Sequence, residues 1–369
     1  MSKLEELIQQ YCPDGVEWKT LGEATIMKRG TSVTKGIMQE GNIPVISGGR
    51  QPAFYCNVSN RTGEVITVAG SGAGAGYVQY WNEPIFVCDA FSIQGNETLK
   101  TKYVYYILTN IQEKIYSTKK GGGVPHVHIS SIEKFEIPVP PLPVQEEIVR
   151  ILDAFAELQA ELQAELQKRL QQYNYYKEEI LTHFSPEQNA KEYKLGDICE
   201  LGTGSHNTQD GLKEGSYPFY TRGIDVLYLN SYDFDETAII TAGDGAGVGK
   251  VFHYVKGKYA LHQRAYRIVP IQSKVLARYL YYYLETEFYA YIMKSSVSSS
   301  VTSIRKPMLL DFPVLLPSLA EQQRIVDILD RFDSLTNDLT AGLPAEIAKR
   351  RQQYEYYRDK LLTFKRKAA

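Results

Sequence analysis

Two glycine-rich segments are the first places where the chain could hold a phosphate: Gly70-Ser71-Gly72-Ala73-Gly74-Ala75-Gly76 and Gly243-Asp244-Gly245-Ala246-Gly247-Val248-Gly249-Lys250. A phosphate loop needs a glycine, four residues, then Gly-Lys-Ser/Thr; here Asp244 stands at the first glycine and Val251 at the hydroxyl. A dinucleotide fingerprint must open a helix, yet both segments run into β-patterned stretches, Tyr77 to Trp81 and Val251 to Val255, so they read as tight turns between strands. His126 and His128 share one face of an extended segment but have no neighbouring cysteine or carboxylate, and no metal site is expected there. Cys12, Cys56, Cys88 and Cys199 are scattered without C-x-x-C spacing, which argues against a zinc ribbon or a disulfide scaffold and suits a reducing cytoplasm. No Ser-His-Asp spacing, methyltransferase Asn/Asp-Pro-Pro-Tyr/Phe motif or nuclease carboxylate cluster stands out. The expectation is a chain with no catalytic residues, no metal and no cofactor of its own.

The elements behind those segments come in two copies. Trp18-Lys19-Thr20-Leu21-Gly22-Glu23 is answered by Tyr193-Lys194-Leu195-Gly196-Asp197, and Ile43-Pro44-Val45 by Tyr217-Pro218-Phe219. The glycine segments themselves correspond, as do Lys102-Tyr103-Val104-Tyr105-Tyr106 and Arg278-Tyr279-Leu280-Tyr281-Tyr282. Ile148-Val149-Arg150-Ile151-Leu152-Asp153 matches Ile325-Val326-Asp327-Ile328-Leu329-Asp330, and Gln171-Gln172-Tyr173-Asn174-Tyr175-Tyr176 matches Gln352-Gln353-Tyr354-Glu355-Tyr356-Tyr357. Ordered matches at a nearly constant offset mark an internal repeat. The 28 tyrosines are expected mainly in cores and helix seams rather than stacked on bases.

Each copy opens with strand-and-turn patterning and ends in a helix. The prolines of Pro138-Val139-Pro140-Pro141-Leu142-Pro143 and of Pro313-Val314-Leu315-Leu316-Pro317 predict a stiff extended connector. From Gln145 to Phe184 there is neither Pro nor Gly, and Leu158, Leu162, Leu166, Leu170, Tyr173 and Tyr176 continue an apolar stripe three or four residues apart. The second stretch, Glu321 to Phe364, carries Ile328, Phe332, Leu335, Tyr354, Tyr357 and Leu361, with a kink or break at Gly342-Leu343-Pro344. Stripes of this length need a partner, and each helix is the nearest one for the other. The predicted fold class is α+β: mixed α/β domains at 1–144 and 185–320, separated by two long helices at 145–184 and 321–369 that pair as a coiled coil around an internal pseudo-two-fold. A basic tail ends the chain.

With 369 residues, 43% of them hydrophobic, the chain has room for two or three cores. Lys and Arg number 41 against 43 for Asp and Glu, so no global basic field draws in nucleic acid. Both domains are neutral, with 13 basic and 13 acidic side chains in 1–144 and 14 of each in 185–320, so any DNA contact must come from local patches. Glu5 and Glu6 stand where a signal peptide would need an apolar stretch, and no membrane segment is apparent, so a cytoplasmic protein is expected.

Positions that match between copies but differ in chemistry are candidates for reading two different sequences. Gly48-Gly49-Arg50 faces Arg222-Gly223-Ile224, and arginine is the usual bidentate partner of guanine. Cys88-Asp89 faces Gln263-Arg264, an acceptor against donors. Lys119-Lys120, ahead of His126 and His128, lies opposite Ser295-Ser296, with Arg305-Lys306 following in the second copy. Lys28-Arg29, set against Glu200-Leu201, is a candidate phosphate contact.

The whole layout, with Pro-Val-Pro-Pro-Leu-Pro leading into Gln145-Glu146-Glu147-Ile148-Val149 and Leu316-Pro317-Ser318-Leu319-Ala320-Glu321-Gln322-Gln323-Arg324-Ile325-Val326 later, resembles the specificity subunits of type I restriction-modification systems. The resemblance implies two target-recognition domains, each reading half of a split double-stranded DNA site across a gap set by the helices. It also implies docking of methyltransferase subunits, two in number, that bring S-adenosylmethionine, and of a motor-nuclease subunit. A freestanding tandem DNA-binding protein and an interaction scaffold are the alternatives.

Overall fold

The computed structural model describes residues 2–367 apart from 34–35, 37–38, 122, 186–187, 295–302 and 338–340. The chain forms two compact units, one of Met1–Gln163 with Ile347–Ala369 and the other of Ala164–Glu346.

In unit 1, helix α1 (Lys3–Tyr11) starts from a capping box in which Ser2 and Glu5 satisfy each other's main-chain N–H. There follow β1 (Glu17–Thr20), α2 (Leu21–Ala24), β2 (Ile26–Arg29), β3 (Ile43–Ile46), β4 (Phe54–Cys56), β5 (Val65–Ala69), β6 (Val78–Trp81), β7 (Phe86–Val87) and β8 (Ala90–Gln94). Helices α3 (Thr101–Asn110), α4 (Gln112–Tyr116) and α5 (Ile129–Ile132), strand β9 (Glu136–Val139) and helix α6 (Leu142–Thr182) complete the run. Sheet order is β2-β8-β5-β6 in one sheet and β4-β3-β7 in another, with β1 paired to β9. Every residue of the inner strand β5 is buried, which explains its unbroken Val-Ile-Thr-Val-Ala sequence in place of an alternating one.

Unit 2 repeats the plan with β10 (Lys191–Lys194), α7 (Leu195–Ile198), β11 (Cys199–Thr203), β12 (Tyr217–Tyr220), β13 (Leu227–Leu229), β14 (Phe234–Ala242), β15 (Phe252–Leu261), β16 (Ala265–Pro270), α8 (Ala277–Lys294), α9 (Lys306–Leu310), β17 (Pro313–Leu316) and α10 (Leu319–Asn337). Six of its strands form one sheet, β11-β16-β14-β15-β12-β13, and β10 pairs with β17 as β1 does with β9. The long strand β15 plays the parts of both β6 and β7. It pairs antiparallel with β14 and also parallel with β12 at Phe219↔Ala260, as β7 does with β3 at Val45↔Phe86.

The same polar fastenings recur in both copies. Gln145 is fully buried; its Oε1 accepts from Lys100 N–H at 2.8 Å, and its Nε2 donates to the carbonyls of Thr98 and Pro140. Gln322, also fully buried, takes Leu276 N–H at 2.9 Å and gives to Lys274 and Pro317. Tyr106 and Lys102 meet Asp153 as Tyr282 and Arg278 meet Asp330. Tyr103, Tyr279 and Tyr282 are among the largest fully buried side chains, in line with the expected use of tyrosine.

The helical stretches differ from expectation at their ends. Helix α6 begins at Leu142, ahead of Gln145, because Pro143 falls in the first turn, where a missing N–H costs nothing. Pro138 and Val139 belong to strand β9, opposite Trp18 and Glu17, so only the end of the proline run is a connector. The second stretch is two helices, α10 and α11 (Leu343–Leu361), interrupted where Gly342-Leu343-Pro344 predicts a break. In unit 1, Phe155 of α6 stacks on Tyr357 at 5.6 Å and meets Tyr354 edge-on at 6.4 Å, while Gln159 and Gln163 line a cleft with Arg351 and Ile347. In unit 2, Tyr173 and Tyr176 both stack on Phe332 of α10, and beyond the end of α6 Gln188 Nε2 donates to Glu321. In both pairs, residues later in α6 meet residues earlier in the partner, which makes the pairing antiparallel.

The leucine stripe is a weaker seam than its spacing suggests. Leu158, Leu162, Leu166 and Leu170 are half-buried, as are Ile328, Phe332, Tyr354 and Leu361, whereas Tyr176, Leu335 and Tyr357 are exposed and Tyr173 is buried. Leucines four apart drift by about 40° per step around a helix of 3.6 residues per turn, so no single line of contact holds all four. The basic tail continues from α11 into unit 1: Val16 N–H donates to Lys365 O, and Arg366 makes a bidentate ion pair with Glu136. No helix among the described residues is long and apolar enough to cross a membrane.

Candidate nucleic-acid interface

Both glycine segments are strand-to-strand turns, β5 to β6 and β14 to β15, in keeping with the failed phosphate-loop pattern. Gly72 and Gly245 adopt φ of +77° and +85°, which favours glycine over L side chains. A Cβ on Gly74 would lie 2.4 Å from the Gly48 carbonyl oxygen, and one on Gly247 would lie 2.3 Å from that of Arg222. Main-chain bonds complete the match: Gly70 N–H to Asp89 O at 3.1 Å and Gly243 N–H to Arg264 O at 2.9 Å, then Val127 N–H to Gly70 O and Ile304 N–H to Gly243 O. Ser71 bridges to His126 as Asp244 does to Ser303, and His128 and Arg305 each precede the next short helix. One backbone frame therefore presents Gly48, Ser71, Asp89, His126 and His128 in unit 1, and Arg222, Asp244, Arg264, Ser303 and Arg305 in unit 2.

In unit 1 the frame opens into a cleft lined by Arg29, Asp89, His126 and His128, all four exposed. The Ser71 hydroxyl donates to Asp89 Oδ2, and the imidazoles of His126 and His128 stack with parallel planes at 6.1 Å. Arg50 and Lys119 lie outside this cleft, Arg50 over the Tyr77 ring at 5.0 Å and Lys119 over Tyr116 at 4.1 Å. Lys120 exchanges main-chain hydrogen bonds with His126. Lys28 is exposed on β2, and Ser92 Oγ donates to its carbonyl.

In unit 2, Arg222, Gln263 and Arg264 line one cleft together with Asn207, Thr208 and His262, and Arg222 also lines a second with Asp244. Asp244 joins the two arginines: Oδ1 accepts from Arg222 Nη1 at 2.7 Å and Oδ2 from Arg264 Nη1 at 2.9 Å. Burial acts to raise the Asp244 carboxyl, but the hydrogen bonds and charges of the two guanidiniums outweigh it and hold the group below the ordinary aspartate range. Burial, followed by the nearby Arg222 charge, pushes the His262 imidazole down, and its Nδ1 accepts from Arg264 N–H at 3.0 Å. Gln263 Nε2 donates to Asn207 Oδ1. Arg305 and Lys306 are exposed at the start of α9.

One sequence expectation changes on this frame. Strand pairing sets Lys28 and Arg29 opposite Ser92 and Phe91, and Gly202 and Thr203 opposite Arg267 and Tyr266, so the equivalents of Lys28-Arg29 are Gly202-Thr203 and not Glu200-Leu201. The slip of two arises because these strands share no side-chain identities, and only the sheet fixes their register. Ser295-Ser296, matched to Lys119-Lys120, lie outside the described residues. Sequence reasoning also passed over Ser71 and Asp244 as site residues, although they are a matched pair of differing chemistry, and over Asn207, Thr208 and His262.

A family model described as the type I restriction modification DNA specificity domain matches the chain twice, over residues 13–172 and 187–349. The chain belongs to that family. Among curated relatives it is 31% identical to the type I restriction enzyme EcoR124I/EcoR124II specificity subunit of Escherichia coli, with 99% of this chain and 97% of the relative aligned. It is 30% identical to a putative type I restriction enzyme specificity subunit of Haemophilus influenzae, over 95% and 96% of the two chains. Among solved structures, the type I S subunit from M. genitalium matches with a TM-score of 0.66 at 19% identity, over 94% of this chain and 96% of that one. A chain from a study of complex assembly and conformational transition in the type I R-M system matches at 0.61 and 17%, over 95% and 98%. Relatives and fold alike are those of specificity subunits, as the resemblance implies, and neither a freestanding DNA-binding protein nor a scaffold is favoured.

Proposed function

We propose that the two units each read one half of a split double-stranded DNA site and that the chain performs no chemistry itself. The observation that carries this reading is the repeated frame, one backbone arrangement presenting different side chains at equivalent places. A protein reading one sequence twice would keep those side chains alike, whereas two different half-sites require them to differ. Arg29, Asp89, His126 and His128 in unit 1, and Arg222, Gln263, Arg264, Arg305 and Lys306 in unit 2, are the proposed base and backbone contacts. Lys28, Arg50, Lys119 and Lys120 flank them as phosphate contacts. Methyltransferase subunits, two of them, supply S-adenosylmethionine and the methylating site, and a motor-nuclease subunit supplies cleavage. The exposed tyrosines of the repeated Gln-Gln-Tyr-x-Tyr-Tyr motif, Tyr175 with Tyr176 and Tyr356 with Tyr357, offer two like surfaces for two like partners.

Sequencing of methylated adenines in cells carrying the complete system, with and without this gene, tests the proposal. The expected result is a bipartite motif methylated only when the gene is present. Methylation independent of the gene, or confined to an uninterrupted motif, would overturn it.

A further inference from the structure

We propose that Arg222 and Arg264, clasped by the Asp244 carboxylate between them, read a guanine in the major groove within the half-site taken by unit 2. This rests on the reading above and adds the chemistry of one base. Each arginine gives only Nη1 to the aspartate, and neither side chain has another hydrogen bond among the described residues. Their side chains are 39% and 63% exposed, and the N–H groups not given to Asp244 are left for a ligand. A guanidinium fixed through one nitrogen keeps a fork of donors, and guanine is the base that offers paired acceptors, O6 and N7, on its major-groove edge.

The carboxylate between the arginines selects against the other usual partner of arginine. A phosphate brought to this pair would meet a negative charge at its centre, whereas a base edge brings none. The clasp is also built before any DNA arrives. Asp244 is set by its bridge to Ser303, Arg264 by its carbonyl bond to Gly243 and its N–H bond to His262, and Arg222 by the close approach of Gly247. Donors held in place in this way lose little freedom on binding. In unit 1 the equivalent places hold Gly48, Ser71 and Asp89, so no arginine pair exists there and the carboxylate is offered as an acceptor.

The test uses the complex with its methyltransferase and duplexes of the motif that it methylates. Each guanine is replaced in turn by 7-deazaguanine, which keeps Watson–Crick pairing and removes N7. The expected result is one guanine, in one half only, whose replacement weakens binding by about tenfold or more. Arg264→Gln and Arg222→Gln complexes should lose that sensitivity while still rejecting base changes in the other half, which reports that the chain is folded and assembled. Asp244→Asn, which keeps the side-chain volume, should reduce the sensitivity without abolishing it. Should an arginine variant fail to assemble, the native complex and Asp244→Asn decide. Equal binding by the native complex to every substituted duplex would overturn the proposal, as would full sensitivity retained in the variants. If the native complex methylates no split motif, the proposed function itself fails, and that outcome is visible before any substituted duplex is tried.

Discussion

Replacing Gln322 by alanine isolates the fastening that starts the helical stretch in unit 2. The side chain is fully buried, and its loss leaves the Leu276 N–H and the carbonyls of Lys274 and Pro317 without their partner. An abandoned buried polar group costs about 1–3 kcal/mol, and two of these three sites are partly open to water, so the expected loss is about 2–5 kcal/mol. At about 1.4 kcal/mol per factor of ten, amide protection in the most stable part of unit 2 should fall roughly 30- to 4,000-fold. Gln145→Ala should do the same in unit 1, where the bonds are 2.8, 2.9 and 2.7 Å. Hydrogen exchange read by mass spectrometry is the proper assay, because a two-unit chain need not unfold in one step and a single midpoint would blur the units. Glutamate at either position should be worse than alanine, since a carboxylate cannot donate to the two carbonyls and would be buried as a charge. Protection that falls by less than threefold in the unit carrying the substitution, or falls equally in both units, would refute the reasoning.

Inserting one more Ala-Glu-Leu-Gln unit after Gln167 adds about 6 Å of helix, and at about 3.4 Å per base pair the spacer of the methylated motif should widen by 1–2 base pairs; an unchanged spacer in methylation sequencing counts against a helical ruler. Hydrogen bonds from Arg150 and Lys3 outweigh burial and hold the Glu147 carboxyl down to about 2. Because the folded value lies below the unfolded one, this increment, about 3 kcal/mol at most, is present above about pH 4.5 and is lost as the pH falls toward 2. Glu147→Gln should therefore flatten the acid limb of unit 1 stability, and denaturation curves at pH 3 and pH 7 that shift by equal amounts would contradict it. Since both domains are neutral, the chain alone should bind DNA weakly at physiological salt, which an electrophoretic mobility shift would contradict by showing tight sequence-specific binding without partners.

The repeat was legible because it is written in residues whose side chains fasten the frame. Gln145 and Gln322, Tyr103 and Tyr279, and Asp153 and Asp330 recur in the sequence because each makes the same bond in its own copy. The break between α10 and α11 was legible in Gly342-Leu343-Pro344 for a local reason, the conformations that glycine and proline allow. The register of β2 was not, because Ile26-Met27-Lys28-Arg29 and its counterpart share no side chain and only pairing with β8 and β16 aligns them. Within the candidate site, Arg222 and Arg264 are visible as matched positions of differing chemistry, but their union through Asp244 is not. Asp244 reads in sequence only as a defect in a phosphate loop, and its partners lie 22 and 20 residues away in opposite directions.

That union limits how such a module can change what it reads. The frame is held by main-chain bonds from Gly70 or Gly243 and by glycine turns, none of which uses the side chains at 71, 89 and 126 or at 244, 264 and 303. Those side chains are therefore free to vary without disturbing the fold, provided that each set settles its own charges. Ser71 settles Asp89 with a hydroxyl, whereas Asp244 settles two guanidiniums with one carboxylate. A single exchange breaks either set: aspartate at 264 would face Asp244 across a gap that an arginine now fills, and two carboxylates at such range repel. On the proposed reading the partner positions must change together, so the unit of altered specificity on this frame is the cluster and not the residue.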